Sequence, residues 1–411
     1  MKQQVQLAAL MALAALFTLA GYEFIRSAAT VLFKNAYGAE NLPLVMAAMP
    51  VVVFAGVALY GRILSRLGPS RTLMVTSLGS GFLIFCCYLA VVNGSKVATP
   101  VLFLLKEFYI VLLIEQYWSY LNSNLSPDGA KKLNGPITGI AGLGGAAGGL
   151  VVGATATTWG TESMLLVAAI SVIPAAIVSN IAYRIFSEPS LPKHVAEHGQ
   201  MGWGVIKENK TLAYLLAVVL LSQLVAAVLD FRFQGLLSTE FAGNQDEETA
   251  FQGKFWGTLN TSVITLQFVI IPILMSWVSL RLVHILMPLI HLTAITVAVI
   301  EPTIWTVGIA FFLFKAFDYS LFRAAKEILY VPLGFDARYR AKELIDVFGY
   351  RTGKGGSSVA IVALQNLGVV TSAFYLPVAF AATAVWLALI FPLTKNARLQ
   401  SESIESDAVS D

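Results

Sequence analysis

Several ionisable side chains lie inside long apolar segments of this chain, in the first, fourth, seventh and tenth of them. A charge at membrane depth is unfavourable unless it is paired or hydrated, so such residues commonly line the route of an ion or a solute. The residues are Glu23, Arg26, Lys106, Glu107, Glu115, Asp230, Arg232, Lys315 and Asp318. Basic side chains would attract an anion, and carboxylates could exchange partners with them or take up a proton. The pattern favours a polar pathway across a membrane.

Pairing offers a simpler explanation for some of these residues. Glu23 and Arg26, and likewise Lys315 and Asp318, are three residues apart and would face each other on one turn of a helix. Each pair could therefore neutralise itself without any functional role. The spread of the charges over four segments nevertheless favours a function for the group as a whole.

Other reactive residues give no sign of an enzyme. His284 and His291 are two helical turns apart in the ninth segment and could shuttle protons, although packing explains them more simply. Cys86 and Cys87 are adjacent and lack the spacing of a disulfide or a metal site. The sequence has no catalytic triad, metal motif or nucleotide-binding fold, so we predict no enzymatic activity and no cofactor.

The segments that carry the ionisable residues are apolar enough to cross a bilayer. Hydrophobic residues make up 57% of the 411 residues and charged residues 12%, and the mean hydropathy is +0.74. A helix needs roughly 20 apolar residues to span hydrocarbon about 30 Å thick. Twelve segments meet this requirement: 5–33, 42–61, 72–93, 98–121, 134–158, 162–185, 211–236, 254–277, 281–300, 303–322, 341–367 and 371–394. We predict an all-α polytopic membrane protein with twelve transmembrane helices.

The distribution of Lys and Arg predicts the orientation, because basic residues near span ends are retained in the cytoplasm. Most of the 27 fall at the termini and in alternate loops. These are Lys2, Arg62, Arg66, Arg71, Lys131, Lys132, Arg184, Lys193, Lys207, Lys210, Arg281, Arg323, Lys326, Arg338, Arg340, Lys342, Lys395 and Arg398. On the other side fall Lys34, Lys96 and Lys254. Both termini are therefore expected in the cytoplasm, and the expected location is the cell inner membrane.

The longest polar connection divides the chain into two similar halves, as in transporters built from repeats around a central site. We predict an N-terminal six-helix half at 1–186, a cytoplasmic central loop at 187–210, a C-terminal six-helix half at 211–395 and a disordered cytoplasmic tail at 396–411. The net charge of +3 is too small to attract nucleic acid. The expected partners are the bilayer and a small-molecule substrate, and the chain is expected to act as a monomer.

Glycines recur through the fifth span. They are Gly135, Gly139, Gly142, Gly144, Gly145, Gly148, Gly149 and Gly153. In lipid, small residues at helical spacing allow helices to approach closely, so packing explains this run better than a phosphate-binding loop. The residues from Gly349 to Lys354 likewise lack the spacing of a P-loop.

The loop between the second and third spans resembles a motif of the major facilitator superfamily, G-x-x-x-D-R-x-G-x-x-R. The matching residues run from Gly61 to Arg71, and Ser65 replaces the acid. The resemblance implies the fold of that superfamily and a gating role for the basic residues Arg62, Arg66 and Arg71. A plain basic loop on the cytoplasmic side would carry the same charges.

A segment that begins at Phe314 resembles the ATP:ADP antiporter family of nucleotide transporters. It reads FKAFDYSLFRAAKEILYVPLGFDARYRAKELIDVFGYRTGKGGSS, where that family carries KYSLFDPTKEMAYIPLD and K-x-x-IDV-x-x-x-R-x-GKSGGS. The likeness continues from Lys106-Glu107 through Trp118 and Asn122 to Ala130-Lys131-Lys132, and Tyr22 with Arg26 resembles the family's first-helix motif.

The resemblance implies roles for individual residues. Glu107 matches the acidic residue of the family's fourth span, Asp230 stands at an acidic position of the seventh span, and Lys354 matches the Lys of the GKSGGS segment. Ala29 and Gln234 stand near positions where the family has further basic residues. Because phosphate recognition relies on Lys and Arg, a highly charged nucleotide is expected to bind less well here.

Our leading hypothesis is an alternating-access carrier of a small organic anion, nucleotide-like or otherwise phosphorylated. The predicted substrate-binding residues are Tyr22, Arg26, Lys106, Glu107, Asp230, Arg232, Lys315, Asp318, Arg351 and Lys354. The predicted coupling or gating residues are Glu23, Glu115, Arg62, Arg66, Arg71 and Asp346. Two alternatives remain open. One is a proton-coupled carrier of an uncharged, amphipathic or zwitterionic solute, with Glu107 and Asp230 as proton sites, and the other is a sensor or assembly partner that does not transport.

Overall fold

A computed structural model of the chain describes residues 2–186, 206–207, 209–330 and 344–410. Most of the predicted central loop, the start of the eleventh predicted span and the basic residues Lys193, Arg338, Arg340 and Lys342 lie outside these ranges. The side chains of Lys131, Arg351 and the residues from 398 onward are also outside the description, although their backbone is helical.

The described residues form a succession of long α-helices. In chain order they are α1 (Lys2–Tyr37), α2 (Leu42–Ala47), α3 (Met49–Val92), α4 (Ala98–Asn124), α5 (Pro127–Trp159), α6 (Thr161–Phe186), α7 (Lys210–Glu240), α8 (Gln245–Thr265), α9 (Ile271–Trp277), α10 (Leu280–Ile300), α11 (Ile304–Phe317), α12 (Arg323–Tyr330), α13 (Tyr350–Asn366) and α14 (Tyr375–Ser410). Short 3-10 turns at Ala39–Asn41 and Thr371–Ala373 precede α2 and α14. The architecture is thus all-α in the part of the chain that is described.

Side-chain caps explain where several helices begin. Ser126 and Ser279 accept hydrogen bonds from the backbone of the first turns of α5 and α10, and Thr303 forms a reciprocal capping box at the start of α11. Such caps satisfy backbone N–H groups that have no partner within the helix. Pro127 at the first position of α5 adds a residue whose missing N–H is harmless there.

Nine helical segments within the described residues are long and apolar enough to cross a membrane, when α8 is counted together with α9 and α11 together with α12. Helix α3 is one of them, but at 44 residues it contains the second and third predicted spans together. Helix α4 falls outside the nine because its apolar stretch contains three charged residues, Lys106, Glu107 and Glu115, and α13 has only 17 residues. The described helices therefore agree with a twelve-span chain, although the count of twelve stays a prediction.

The G-x-x-x-D-R-like motif lies at a sharp bend within α3 rather than in an open loop. Gly68 has φ 76° and ψ 167°, a conformation that favours glycine because a Cβ atom would be strained there. Pro69 follows and cannot donate a helical hydrogen bond. This bend separates the second predicted span from the third.

The described residues include three π-helical turns, at Leu266–Ile270, Asp318–Phe322 and Leu344–Gly349. Such turns are uncommon and frequently occur at functional sites, because the wider turn redirects side chains. Two of the three contain predicted site residues, Asp318 and Asp346.

The chain divides into two compact units. Unit 1 comprises Met1–Lys193 and Ser238–Ile264, and unit 2 comprises His194–Leu237 and Thr265–Asp411. The division differs from the predicted halves, because most of α8 groups with the N-terminal helices. Within unit 1, α1 packs against α4, α5 and α6, and within unit 2, α10 packs against α11 and α14. The last helix continues to Ser410, through most of the tail for which the sequence predicts disorder.

Glycines allow α5 to pack closely against two helices of unit 1. A Cβ atom at Gly148 would lie 2.6 Å from the Ala20 carbonyl oxygen of α1, and one at Gly149 would lie 2.5 Å from the Gly257 nitrogen of α8. A Cβ atom at Gly253 of α8 would likewise lie 2.5 Å from the Gly153 nitrogen of α5. The glycines of the fifth span therefore serve helix packing, and the partner pair in α8 explains why this helix belongs to unit 1.

We expect Gly149→Ala to destabilise the protein by roughly 1 to 3 kcal/mol, because the added methyl group would collide with backbone that cannot move aside. The measurement is the thermal midpoint of the detergent-purified protein. Gly79→Ala is the matched control, since a Cβ atom at Gly79 meets nothing within 4 Å. Equal midpoints for the two variants would contradict the close packing of α5 and α8.

Candidate functional site

Arg26 lies next to two aromatic rings inside unit 1. Its guanidinium carbon is 3.2 Å from the centre of the Trp256 ring in α8 and 5.5 Å from the centre of the Tyr22 ring, one turn earlier in α1. The Arg26 side chain is 14% exposed. An aromatic face stabilises a desolvated cation without neutralising its charge.

Glu23 is the buried carboxylate of this cluster. Its Oε1 accepts a hydrogen bond from Asn260 Nδ2 at 3.0 Å and lies 3.4 Å from Arg26 Nη1. Its Oε2 is buried and has no hydrogen-bond partner among the described residues. The i, i+3 pairing of Glu23 with Arg26 is thus present, but at a distance longer than that of a strong charge-assisted hydrogen bond.

Lys106 and Glu107 of α4 bring a second cation and a second acid to the same region. Lys106 Nζ lies 3.1 Å from Glu107 Oε1 and 3.7 Å from the centre of the Phe103 ring. Lys106 is also close enough to Glu23 to act on it electrostatically. Lys106 is buried and Glu107 is half-buried, so unit 1 contains two cations that each contact an aromatic ring and a carboxylate.

The close approach of α5 positions Asn260 beside Glu23. A Cβ atom at Gly145 would lie 3.0 Å from Asn260 Nδ2 and 3.9 Å from Glu23 Oε1. The absence of a side chain at Gly145 therefore leaves the space that this polar contact occupies. Trp256 is oriented by a hydrogen bond from its Nε1 to Gln252 Oε1 at 3.4 Å.

A buried ion pair joins α1 to the start of α8. Lys34 Nζ contacts Glu248 Oε1, and both side chains are at most 1% exposed. Next to it, Asp246 Oδ1 accepts hydrogen bonds from the backbone and hydroxyl of Thr161, at 2.7 and 2.6 Å. The predicted topology places these contacts on the non-cytoplasmic side. They fix the first turn of α8 against α1 and α6.

Unit 2 has its own charged cluster, around the two π-helical turns that contain Asp318 and Asp346. Lys326 Nζ contacts Asp346 Oδ1 and lies 4.8 Å from the centre of the Tyr350 ring. Arg323 lies 5.3 Å from the centre of the Tyr319 ring.

Lys315 and Asp318 are both buried in unit 2. Lys315 Nζ lies 5.2 Å from the centre of the Tyr319 ring and 5.9 Å from that of Phe311. Asp318 Oδ1 has no hydrogen-bond partner among the described residues, and the same holds for the buried Tyr350 hydroxyl. Tyr350 is near enough to Asp318 for the two groups to interact electrostatically.

Three further predicted substrate-binding residues of unit 2 are half-buried, namely Asp230, Arg232 and Lys354. Asp230 Oδ1 lies 3.5 Å from Gln234 Nε2, and Arg232 follows on the same helix. Lys354 is on α13, where its carbonyl oxygen accepts a hydrogen bond from the Ser358 hydroxyl at 2.9 Å. Arg351 is on the same helix, and its side chain lies outside the described part.

The predicted gating residues of α3 are on the surface. Arg62, Arg66 and Arg71 are exposed, and none forms an ion pair with another described residue. Ser65, which replaces the acid of the motif, donates a hydrogen bond to the Arg62 carbonyl oxygen at 3.0 Å. Glu115 is also exposed, near Tyr60. These four ionisable residues do not join the buried clusters in this conformation.

His291 lies in an aromatic environment inside unit 2. Its ring centre is 5.0 Å from that of Phe314, 5.7 Å from Trp386 and 5.8 Å from Phe317. His284 is also buried and contacts the Leu280 carbonyl oxygen through Nδ1 at 2.9 Å. Within the described residues, no group of three or more His, Cys, Asp or Glu side chains could hold a metal ion. This environment agrees with a packing role for both histidines.

Sequence reasoning missed several residues of these clusters. Trp256, Asn260 and Glu248 were not singled out, because nothing local shows that α8 packs against α1. The spacing of Gly253 and Gly257 was the available signal, since small residues four apart mark close helix contacts. The sequence assigns Lys326 only to the cytoplasmic side and does not reveal that it is buried and paired with Asp346.

The C-terminal part of the chain matches a known family. Residues 254–397 match the model of the TLC ATP/ADP transporter family, which confirms the predicted resemblance over about a third of the chain. The "ADP,ATP carrier protein 1" of Chlamydia trachomatis is 37% identical over 86 residues. That match covers 20% of this chain and 16% of the relative, so the chain aligns with about a sixth of the relative's length.

Solved structures resemble the chain over nearly its whole length. A variant of the nucleoside transporter NupG has a TM-score of 0.69 at 12% identity, covering 95% of this chain and 99% of that one. A bacterial homologue of the iron transporter ferroportin, in an inward-facing state, has a TM-score of 0.68 at 11% identity, covering 95% and 98%. An auto-inhibited peptide transporter of the POT family has a TM-score of 0.66 at 13% identity, covering 97% of each chain. These likenesses show that the chain has the same fold as these transporters.

We expect Lys34→Met to destabilise the protein by roughly 3 to 5 kcal/mol, because it would leave the Glu248 carboxylate buried without its partner. The double variant Lys34→Met with Glu248→Met should regain much of that loss, since it removes the unpaired charge. Thermal unfolding of the two variants and of Glu248→Met completes a double-mutant cycle. Additive losses would show that the two side chains do not interact.

Proposed function

We propose that this protein is a secondary transporter that moves a nucleotide-like organic anion by alternating access. We further propose that it acts as a monomer in the cell inner membrane, with both termini in the cytoplasm. The observation that carries the proposal is the arrangement of Arg26 and Lys106, two cations at membrane depth that each contact an aromatic ring and a carboxylate. Such groups attract an anion into the membrane interior, from which the hydrocarbon would otherwise exclude it.

Arg26 is suited to bind phosphate. A guanidinium group has five N–H donors in one plane and can contact two phosphate oxygens at once. Its contact with Glu23, at 3.4 Å, is longer than the 2.7 to 2.9 Å typical of strong charge-assisted hydrogen bonds. A phosphate oxygen could therefore replace Glu23 as the partner of Arg26 with a gain in hydrogen-bond strength.

The acids give the cations partners when no anion is bound. Glu107 lies beside Lys106, and Asp346 beside Lys326. An anion that displaces these carboxylates would change the pairing inside each unit, and that change supplies the differential binding energy that alternating access requires. We assign the exposed residues Arg62, Arg66 and Arg71 to the cytoplasmic ends of this motion, as the motif around Gly68 suggests.

The number of cations limits the charge of the solute. Ala29 and Gln234 stand near the positions at which the resembled family has basic residues. The nucleotide proposal is supported by the match of residues 254–397 to the ATP/ADP transporter model and by a relative named an ADP,ATP carrier. We therefore favour a nucleotide or related phosphorylated anion with fewer charges than ATP.

A proton-coupled carrier is the second candidate. Glu23 Oε2 and Asp318 Oδ1 are buried without hydrogen-bond partners among the described residues, as expected of carboxyl groups that take up protons. The half-buried acids Glu107 and Asp230 fit this role less well. Uptake that collapses when a protonophore removes the pH gradient would favour this mechanism, and uptake driven by a counter-substrate alone would favour exchange.

We expect Arg26→Gln and Lys354→Gln each to lower nucleotide uptake, measured per amount of folded protein, by about tenfold or more, since each removes a charge-assisted contact to the anion. The measurement is uptake of radiolabelled AMP, ADP and ATP into proteoliposomes. Lys96→Gln is the matched control, because Lys96 is exposed at a loop between α3 and α4. Uptake by Lys354→Gln equal to that of the control would refute the role of Lys354.

A further inference from the structure

Tyr22, Glu23 and Trp256 lie next to the Arg26 guanidinium within unit 1, and Asn260 contacts Glu23; we call these four residues the aromatic slot. The guanidinium carbon lies 3.2 Å from the centre of the Trp256 ring and 5.5 Å from that of the Tyr22 ring. Glu23 Oε1 lies at its edge, 3.4 Å from Nη1. Asn260 holds that same carboxylate oxygen at 3.0 Å.

The guanidinium shares two properties with part of a nucleobase, a planar shape and N–H donors at its edge, and both are matched by the residues of the slot. It is planar, so it stacks on an aromatic ring, and its edge carries N–H donors, so it faces a carboxylate. An adenine or cytosine ring with an exocyclic amino group is also planar and also donates N–H hydrogen bonds at its edge. Bases stack on aromatic side chains in nucleic-acid-binding proteins for the same reason.

Glu23 has acceptor capacity that no described residue uses. Its Oε2 is buried and has no hydrogen-bond partner among the described residues, while Oε1 is held by Asn260. A buried carboxylate oxygen is stabilised when it accepts a hydrogen bond, so it favours a ligand that brings a donor. This unsatisfied oxygen is an observation separate from the stacking on Trp256.

We propose that the aromatic slot is the subsite for an amino-bearing nucleobase, and this rests on the proposed transport of a nucleotide-like anion. The phosphate groups of the ligand attract Arg26 away from Trp256. The base then stacks on Trp256 in its place and donates its exocyclic N–H to Glu23. Trp256 and Asn260 are thus specificity residues, and Arg26 occupies the subsite when no ligand is bound.

The proposal predicts discrimination between bases that differ by one group. Hypoxanthine has the shape of adenine but carries a carbonyl oxygen where adenine has its amino group. That oxygen would face the Glu23 carboxylate, and two acceptors cannot form a hydrogen bond. A site built around a donor rejects an analogue that lacks it.

Binding of ADP, IDP, AMP and IMP to the detergent-purified full chain tests the proposal. We expect the adenine nucleotide of each pair to bind about tenfold or more tightly than its hypoxanthine counterpart. Glu23→Gln should bring that ratio close to one, because an amide can offer either a donor or an acceptor. If Glu23 only positions its neighbours, Glu23→Gln would lower the affinities for adenine and hypoxanthine nucleotides equally and leave their ratio unchanged.

Trp256 is tested with two substitutions and a control. Trp256→Leu should weaken ADP and IDP binding together by about tenfold, since it removes the stacking surface for both. Trp256→Phe should retain most of the affinity. Trp159→Leu, at an exposed position at the end of α5, should bind like the unmodified protein. If Trp256→Leu does not fold, the affinity ratio of Glu23→Gln decides the question.

The outcomes separate this inference from the proposed function. Equal affinity for ADP and IDP, and for AMP and IMP, would overturn the slot as a base subsite and leave transport of a phosphorylated anion standing. A preference for adenine that persists in Glu23→Gln would also overturn it. Absence of binding by AMP, ADP and ATP alike would overturn the nucleotide proposal and this inference together.

Discussion

The cost of desolvating a charge at membrane depth is the constraint on which the rest of this structure depends. Each buried cation described in unit 1 has a carboxylate nearby: Arg26 has Glu23, Lys106 has Glu107, and Lys34 has Glu248. Removing one partner of such a pair is strongly destabilising, because the other remains buried and charged. The helices must therefore bring these groups together before a binding site can exist.

Aromatic rings allow a buried cation to be stable and still attract an anion. A cation that is fully paired with a carboxylate is stable, but its positive charge is largely neutralised and attracts an anion only weakly. A cation on the face of an aromatic ring is also stabilised, and it keeps its charge. Arg26 and Lys106 lie close to the rings of Trp256 and Phe103. The acid beside Arg26 is 3.4 Å away, and the acid beside Lys106 is half-buried. Lys34 and Glu248 form a buried pair instead, which suits a structural contact between α1 and α8.

The sequence was sufficient to predict those features of the fold and the site that depend on local composition. Long apolar runs predicted the helices, the glycines of α5 predicted close packing, and charges in apolar segments marked Arg26 and Lys106. It was not sufficient for contacts between helices distant in the chain, because the spacing of Gly253 and Gly257 indicates a close contact of α8 but not that its partners are α1 and α5. Trp256 is for this reason absent from the predicted site. The burial of Lys326 could not be predicted, because a basic residue after a span looks the same whether it is exposed or paired.

The contacts between α1 and α8 follow one antiparallel register. Lys34 meets Glu248 and Arg26 meets Trp256, so eight residues separate the two contacts on each helix, about 12 Å along the axis. Glu23 meets Asn260 one further turn along. A shift of α8 along α1 would break all three contacts together, since they share that register. The buried ion pair at the start of α8 therefore fixes how Trp256 and Asn260 are presented to Arg26 and Glu23, and the glycines that hold α8 against α5 reinforce the same placement.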